Sequence, residues 1–331
     1  MTKICVGIFA GGKSSEREVS LQSAKVVFDS LDTLVYDKFV VDISSWPWQV
    51  KNDNGIIGEI DMNSCAIKST GQKLDFAFLA VHGTPAEDGK LQGYLDLMSI
   101  PYSACSVLAS ATTFDKDTTK ALLRDLNVPM AKSLLFTHKN QRSLEDVNRE
   151  LTYPVFVKPN KNGSSYGVSK VKSASEFEEA LALAYTYDDE VLVEEFIDGR
   201  ELACGIIEDA GELICFPITE ISTENEFFDY EAKYLGKSKE VTPAALSDEQ
   251  VKRCHDWTKQ IFIHLKLSGA VRVDYFMKND TFFLLEVNTI PGLSAASILP
   301  QQAQAHGWSL QTLFDKIIQN ALRKANNLST E

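Results

Sequence analysis

The chain has no apolar run long enough to span a bilayer, no basic start leading into an apolar stretch, and no low-complexity tract. These absences argue against a membrane span, a secretory leader and a disordered or fibrous chain. Positive charge is also scarce, since 33 Lys and Arg against 46 Asp and Glu leave a net charge of −13. Neither a nucleic acid nor an anionic membrane is therefore expected as a main partner. The six cysteines show no CxxC or metal-type spacing, a pattern that suits free thiols in a reducing cytosol, so the expected location is cytoplasmic. The glycines after the first apolar run do not make GxGxxG, and a dinucleotide fingerprint is weakly supported.

What is present is ordinary globular material: 331 residues, 44% of them apolar, enough for two or three domains. Ile4–Phe9 reads as a strand broken by Gly11-Gly12, with Ser14 and Ser15 capping a helix from about Glu16 to Ser30. Strands at Phe39–Ile43 and Phe76–Val81, and a helix from about Lys90, make the first domain parallel α/β. Residues 44–71, with Trp46-Pro47-Trp48, read as turns and a short hairpin without an assignable role. Thr112–Asn127 reads as one helix carrying Lys116 and Lys120. Strands at Ser133–Phe136, Val155–Lys158 and Val191–Ile197, with helices at Leu144–Leu151 and Ser175–Tyr185, form a small α+β unit. A third unit begins near Gly199, with strands at 202–208 and 213–219 and a long polar loop at 222–242. It ends with helices at Asp248–Leu265 and Ser309–Asn326 around a hairpin. The expected domains are 1–110, 111–198 and 199–331.

That hairpin, Arg272 to Asn288, is the most informative stretch. Two apolar, aromatic-rich strands flank a short polar turn at Lys278–Thr281, yet Arg272 and Asp274 sit in one strand and Glu286 and Asn288 in the other. Alternation at period two puts each pair on one face. An odd loop places Asp274 opposite Glu286, whereas an even loop does so only if a bulge restores the register. Two carboxylates and an amide on an apolar sheet need a cation to offset their burial, and hard oxygen ligands of this kind suit Mg²⁺ with substrate phosphate and water. Lys158 closes the apolar run VFVK, and NGSSYG follows; small residues there let backbone N–H groups approach phosphate oxygens. It is not a GxxxxGK[ST] loop. With Lys116 and the Asp274/Glu286/Asn288 set it forms a kit for a nucleoside triphosphate.

The segments GGKSSEREVS, HGTPAEDG, FVKPNKNGSSYGVSKV, VLVEEFIDGRELACGI, FFDYEAKY, GAVRVDYF and LLEVNTIPGLS stand in this order along the chain. In them the sequence resembles the ATP-grasp ligases, and among these the D-alanine–D-alanine ligases, over essentially its full length. The resemblance implies a three-domain ATP-grasp fold with an N-terminal parallel α/β domain. It also implies ATP-dependent joining of two D-alanines through a D-alanyl phosphate, in peptidoglycan precursor synthesis. Glu194 would lie near the adenine, Glu201 would meet the ribose, and Lys116 and Lys158 would hold the phosphates under the Gly163–Gly167 loop with its Ser165. Asp274, Glu286 and Asn288 would bind two Mg²⁺ ions, with Mn²⁺ as an alternative. Arg272 and the Gly292 N–H would face the tetrahedral oxyanion. Glu16 would hold the first D-alanine's ammonium, His82 would lie near its carboxylate, and Ser297 would fix the second substrate's carboxylate. Lys233 would reach toward the phosphates or substrate, and Glu16, Ser164 and Tyr234 would lock the 222–242 loop over the site. A homodimer is the corresponding assembly.

Two departures bear on the substrate pocket: Ala86 stands where relatives often have glycine, and LSAAS replaces the commoner Met-Thr-x-x-Ser. D-lactate or D-serine as acceptor is the alternative within the fold, and Tyr234 favours an amine. A silent ATP-grasp binding protein is the alternative outside catalysis; it predicts loss of a metal ligand or of Arg272, and all are present.

Overall fold

The computed structural model describes residues 2–14, 16–140, 142–163, 165–223 and 238–328. Three sheets carry the chain. The first has the order β5-β4-β3-β2-β1-β6, built from β1 (Ile4–Ala10), β2 (Tyr36–Asp42), β3 (Gln49–Asn52), β4 (Gly55–Asp61), β5 (Ala66–Ile67) and β6 (Phe76–Leu79). β1 runs parallel to β2 and β6, as expected for apolar strands linked by helical crossovers. Residues 44–71 do more than turn: β3 to β5 extend the sheet as an antiparallel meander. Trp48 packs edge-on against Phe9 and Tyr94, at 5.8 and 5.4 Å between ring centroids, so it belongs to the core of this sheet.

Helix α1 (Arg17–Ser30) follows β1. Its N-cap is Glu16 rather than a serine, and the Ser14 hydroxyl accepts instead from the Glu16 N–H at 3.3 Å. α2 (Lys90–Leu97) leads to α3 (Val107–Phe114) and α4 (Lys116–Leu123). The single helix expected over Thr112–Asn127 is therefore two. Asp115 has extended backbone and caps α4 by accepting from the Thr118 N–H at 2.9 Å, which outcompetes continuation of α3.

The second sheet is antiparallel, in the order β7-β10-β8-β9, from β7 (Ser133–Thr137), β8 (Val155–Pro159), β9 (Ser169–Val171) and β10 (Glu190–Glu195). Helices α5 (Leu144–Glu150) and α6 (Phe177–Tyr185) flank it. The third sheet has the order β14-β13-β11-β15-β16, with β12 on β11. Its strands are β11 (Arg200–Asp209), β12 (Glu212–Cys215), β13 (Thr219–Thr223), β14 (Ser238–Val241), β15 (Ala270–Lys278) and β16 (Thr281–Asn288). Helix α7 (Asp248–His264) packs on this sheet and opens with a capping box between Ser247 and Gln250. The turn after Pro291-Gly292 leads into a short helix that pattern reading missed, α8 (Ile298–Ala305), and then α9 (Leu310–Leu328).

α9 ties the two ends of the chain together. Leu313, Phe314, Ile317 and Ile318 are buried in one core with Val6, Ile8, Phe76 and Phe78 of the first sheet. Each such side chain contributes roughly 1.5–3 kcal/mol. Residues near 290 thereby stand beside residues near 16 and 82. Among the described residues no helix is long and apolar enough to cross a membrane, and all six cysteines are free.

Candidate active site

The β15–β16 turn is even. Asn279 and Asp280 both have positive φ, 48° and 61°, as a two-residue type I′ hairpin requires. With Lys278 opposite Thr281, unbroken pairing would leave Asp274 facing Leu285. The register shifts after Tyr275 instead, so that Asp274 pairs with Glu286 and Arg272 with Asn288. Leu285 is the extra residue of a β-bulge, and the bulge brings both carboxylates to one face.

On that face the Arg272 guanidinium grips Asp274 with two bonds, Nε to Oδ1 at 2.8 Å and Nη2 to Oδ2 at 2.7 Å. Asn288 donates through Nδ2 to Asp274 Oδ2 at 2.9 Å. Burial disfavours the Arg272 charge, but Asp274 and then Glu286 outweigh it and raise its pKa. Two carboxylates and one amide oxygen are a hard donor set that fits Mg²⁺. Among the described residues no group of three or more His, Cys, Asp or Glu side chains is placed to hold a metal.

Two cavities meet at this face. One, of about 450 Å³, lies between the second and third sheets and is lined by Lys158, Ser165, Glu194, Glu201, Asp274 and Glu286. Phe156, Phe196 and Leu284 add apolar walls suited to a flat ring. The other, of about 300 Å³, is lined by Glu16, His82, Arg272, Asn288, Gly292 and Ser297. Lys116, Gly163, Arg272 and Glu286 border both. Ser164, Lys233 and Tyr234 lie outside the described residues.

In the larger cavity Glu194 is only 7% exposed and sits between two ammonium groups. Lys120 reaches it at 2.6 Å, and Lys158, from the neighbouring strand, pairs with its other oxygen. Burial opposes the charge, yet Lys158 and Lys120 together hold the Glu194 carboxyl down to about 2. Lys116, at the start of α4, bonds the Asn162 carbonyl at 2.8 Å, against the covering loop. Burial lowers its pKa, and the Glu286 charge works against that. Lys120 was visible on the helix beside Lys116, but only the tertiary structure shows that it reaches Glu194.

In the smaller cavity Glu16 stands under the same loop: Oε2 is 3.0 Å from the place a Cβ would take on Gly163, so any larger residue there would crowd it. Gly292 is equally confined, since a Cβ would stand 2.8 Å from the Ser297 hydroxyl. Ser297 bonds the Ser294 hydroxyl at 2.8 Å. His82 is engaged by the protein through both ring nitrogens, with Ser23 at 3.1 Å and the Ile290 carbonyl at 3.2 Å. Burial lowers its pKa. Two acids escaped pattern reading. Glu87, in the quoted HGTPAEDG segment, lines the cavity and is pushed up to about 8, first by burial and then by the Glu16 charge. Glu240 lines it too, accepts from Gln301 at 2.8 Å and is raised by burial.

Known proteins resemble this chain over nearly all of its length. The model of the D-ala D-ala ligase N-terminus matches residues 5–105, and that of the D-ala D-ala ligase C-terminus matches residues 122–319. A D-alanine–D-alanine ligase of Bacteroides fragilis is 41% identical over 318 residues, 95% of this chain and 98% of that one. Among solved structures, the VanG D-Ala:D-Ser ligase of Enterococcus faecalis superposes with a TM-score of 0.86 at 33% identity, covering 96% and 98% of the two chains. A D-alanine–D-alanine ligase of Bacillus anthracis complexed with ATP gives 0.81 at 28% identity, covering 98% and 99%.

Proposed function

The chain belongs to the D-alanine–D-alanine ligase family, and from that we infer that it joins two D-alanines into D-alanyl-D-alanine for peptidoglycan precursors, cleaving ATP to ADP and phosphate. The observation that carries the reading is the Asp274–Glu286 and Arg272–Asn288 face, standing where the two cavities meet.

The larger cavity takes the nucleotide. Lys116 and Lys158 hold its phosphates with Ser165 of the covering loop, Glu194 lies on the adenine side and Glu201 meets the ribose. Asp274, Glu286 and Asn288 hold Mg²⁺, which when bound neutralises charge on the transferring phosphoryl group. The smaller cavity takes the amino acids. Glu16 receives the first ammonium, and Ser297 the second carboxylate. The first D-alanine's carboxylate oxygen bonds to the γ-phosphorus as ADP leaves, giving D-alanyl phosphate. The second amine, having lost a proton, bonds to the carbonyl carbon. Arg272 and the Gly292 N–H stabilise the tetrahedral oxyanion, whose collapse expels phosphate and leaves the amide. Glu16, Ser164 and Tyr234 lock the 222–242 loop against water, with Lys233 directed to the phosphates. Residues 1–110, 111–198 and 199–331 act as the three domains, the enzyme works in the cytoplasm, and a homodimer is the expected assembly.

The deciding experiment measures phosphate release from ATP and Mg²⁺ with D-alanine alone, then with D-serine or D-lactate added, with products identified by mass. D-alanine-dependent release yielding the dipeptide supports the reading. Release only with a second acid reassigns the acceptor, and ATP binding with no release refutes catalysis.

A further inference from the structure

Ser23 and His82 are 0% and 4% exposed and lie on the N-terminal part of the chain, in α1 and just after β6. Their hydrogen bonds cross to the other end of the sequence. The Leu293 N–H donates to Ser23 Oγ at 3.3 Å, Ser23 Oγ meets His82 Nε2 at 3.1 Å, and His82 Nδ1 meets the Ile290 carbonyl at 3.2 Å. A carbonyl only accepts, so Nδ1 carries the ring proton. Nε2 then has only a lone pair, and the Ser23 hydroxyl must donate to it. Every link in this chain of bonds has a fixed direction. Its ends fall on Ile290 and Leu293, the residues on either side of Pro291-Gly292.

We propose that Ser23 and His82 form a clamp between the two ends of the chain that sets the position of the Gly292 N–H, making both of them positioning residues for the amide-forming step. This rests on the ligase reading and on the place of Gly292 in it. Gly292 cannot be held by its own side chain, and α8 begins only at Ile298. Two bonds from a buried, neutral pair fix the turn where packing alone would leave it free to shift by tenths of an ångström. A misplacement of about 1 Å can cost about a hundredfold, so a fraction of that shift is already felt in the rate. A loosened turn still permits phosphoryl transfer, which does not use Gly292. The acyl phosphate then persists, and water competes at phosphorus, where the Gly292 donor is not needed: the water oxygen bonds to phosphorus, the P–O bond to the acyl oxygen breaks, and D-alanine and phosphate are released without dipeptide.

The test uses the full chain with Ser23→Ala and Ser23→Cys, measuring phosphate and dipeptide together, the KM for ATP, and the folded fraction by thermal melting. For Ser23→Ala, dipeptide turnover is expected to fall on the order of tenfold to a hundredfold, with phosphate released per dipeptide rising above one and the KM for ATP within about twofold. Ser23→Cys, close in shape but a weak donor, should lie between; if the alanine variant does not fold, a ratio above one in the cysteine variant carries the claim. Unchanged turnover, or a loss that follows the folded fraction at one phosphate per dipeptide, overturns the clamp. Absence of D-alanine-dependent phosphate from the unsubstituted chain is a different result; it overturns the ligase reading and the clamp's role with it.

Discussion

Glu194 and Glu87 are acids of adjoining cavities, and their environments push them in opposite directions. Glu194 resists its own burial because Lys158 and Lys120 hold it at about 2. Glu87 is driven to about 8 by burial and by its neighbour Glu16. In the larger cavity Glu194 is thus already paired by lysines of the protein, and Lys116 and Lys158 stand at the wall, where an anion can meet them. The smaller cavity gathers Glu16, Glu87 and Glu240 around Arg272, an acid excess that suits an ammonium. The two halves of the site are distinguished by who compensates the buried charge: the protein in one, the incoming substrate in the other.

The strongest way to separate the two cavities is Arg272→Ala, because Arg272 borders both. Assigned to the oxyanion, it should lower kcat by about 10²–10³ while the KM for ATP moves by less than about threefold; equal losses in both, read from steady-state kinetics, would place it with the nucleotide.

Next comes Glu194→Gln, which leaves two buried lysines without their carboxylate. Denaturant unfolding at pH 7 should show a loss of about 3–5 kcal/mol. The pH sign is set by a folded pKa below the unfolded one, so the Glu194 contribution is complete above the ordinary carboxylate range and is lost as pH falls toward about 2. The variant and the parent should therefore converge in acid, and a constant gap down to pH 2 would contradict the pairing.

Glu87→Gln reverses the sign. Since the folded state keeps a proton up to about 8 that the unfolded chain has lost by then, stability of the parent should fall between the ordinary carboxylate range and pH 8. The glutamine variant should lack that slope in urea melts at pH 6 and pH 9.

The smallest effect belongs to Lys170, whose ammonium lies 3.9 Å from the centre of the Phe196 ring on the wall of the larger cavity. Lys170→Ala should raise the KM for ATP by about two- to fivefold without altering D-alanine kinetics.

The two cavities also differ in how much of them could be read beforehand. Asp274, Glu286, Asn288 and Arg272 stood out because charged side chains in an aromatic hairpin have few explanations, and period-two alternation left a choice that one bulge could settle. Lys158 stood out at the end of an apolar strand, and the structure places it on β8 with the Glu194 of β10 diagonally across. The smaller cavity gave fewer local signals. Ser23 is an unremarked serine on a helix, Glu87 one acid in a polar loop, and each takes its meaning from groups that other segments bring beside it. His82 was expected near substrate, and the structure adds partners for both of its nitrogens that no spacing announces, one of them 208 residues away.

Local chemistry is what the chain alone determined: which strands and most helices form, the hairpin with its donor set, and the charge balance that argues against nucleic acid. These depend on propensity, periodicity and composition over a few residues, and a linear sequence displays all three. The break at Asp115, the bulge at Leu285, the Lys120–Glu194–Lys158 set and the Ser23–His82 grip on Ile290 and Leu293 were decided only by tertiary structure. In each, a buried polar group must find its partner among residues delivered by other elements. The packing of α9 on the first sheet, which brings the ends of the chain together, selects which partners those are.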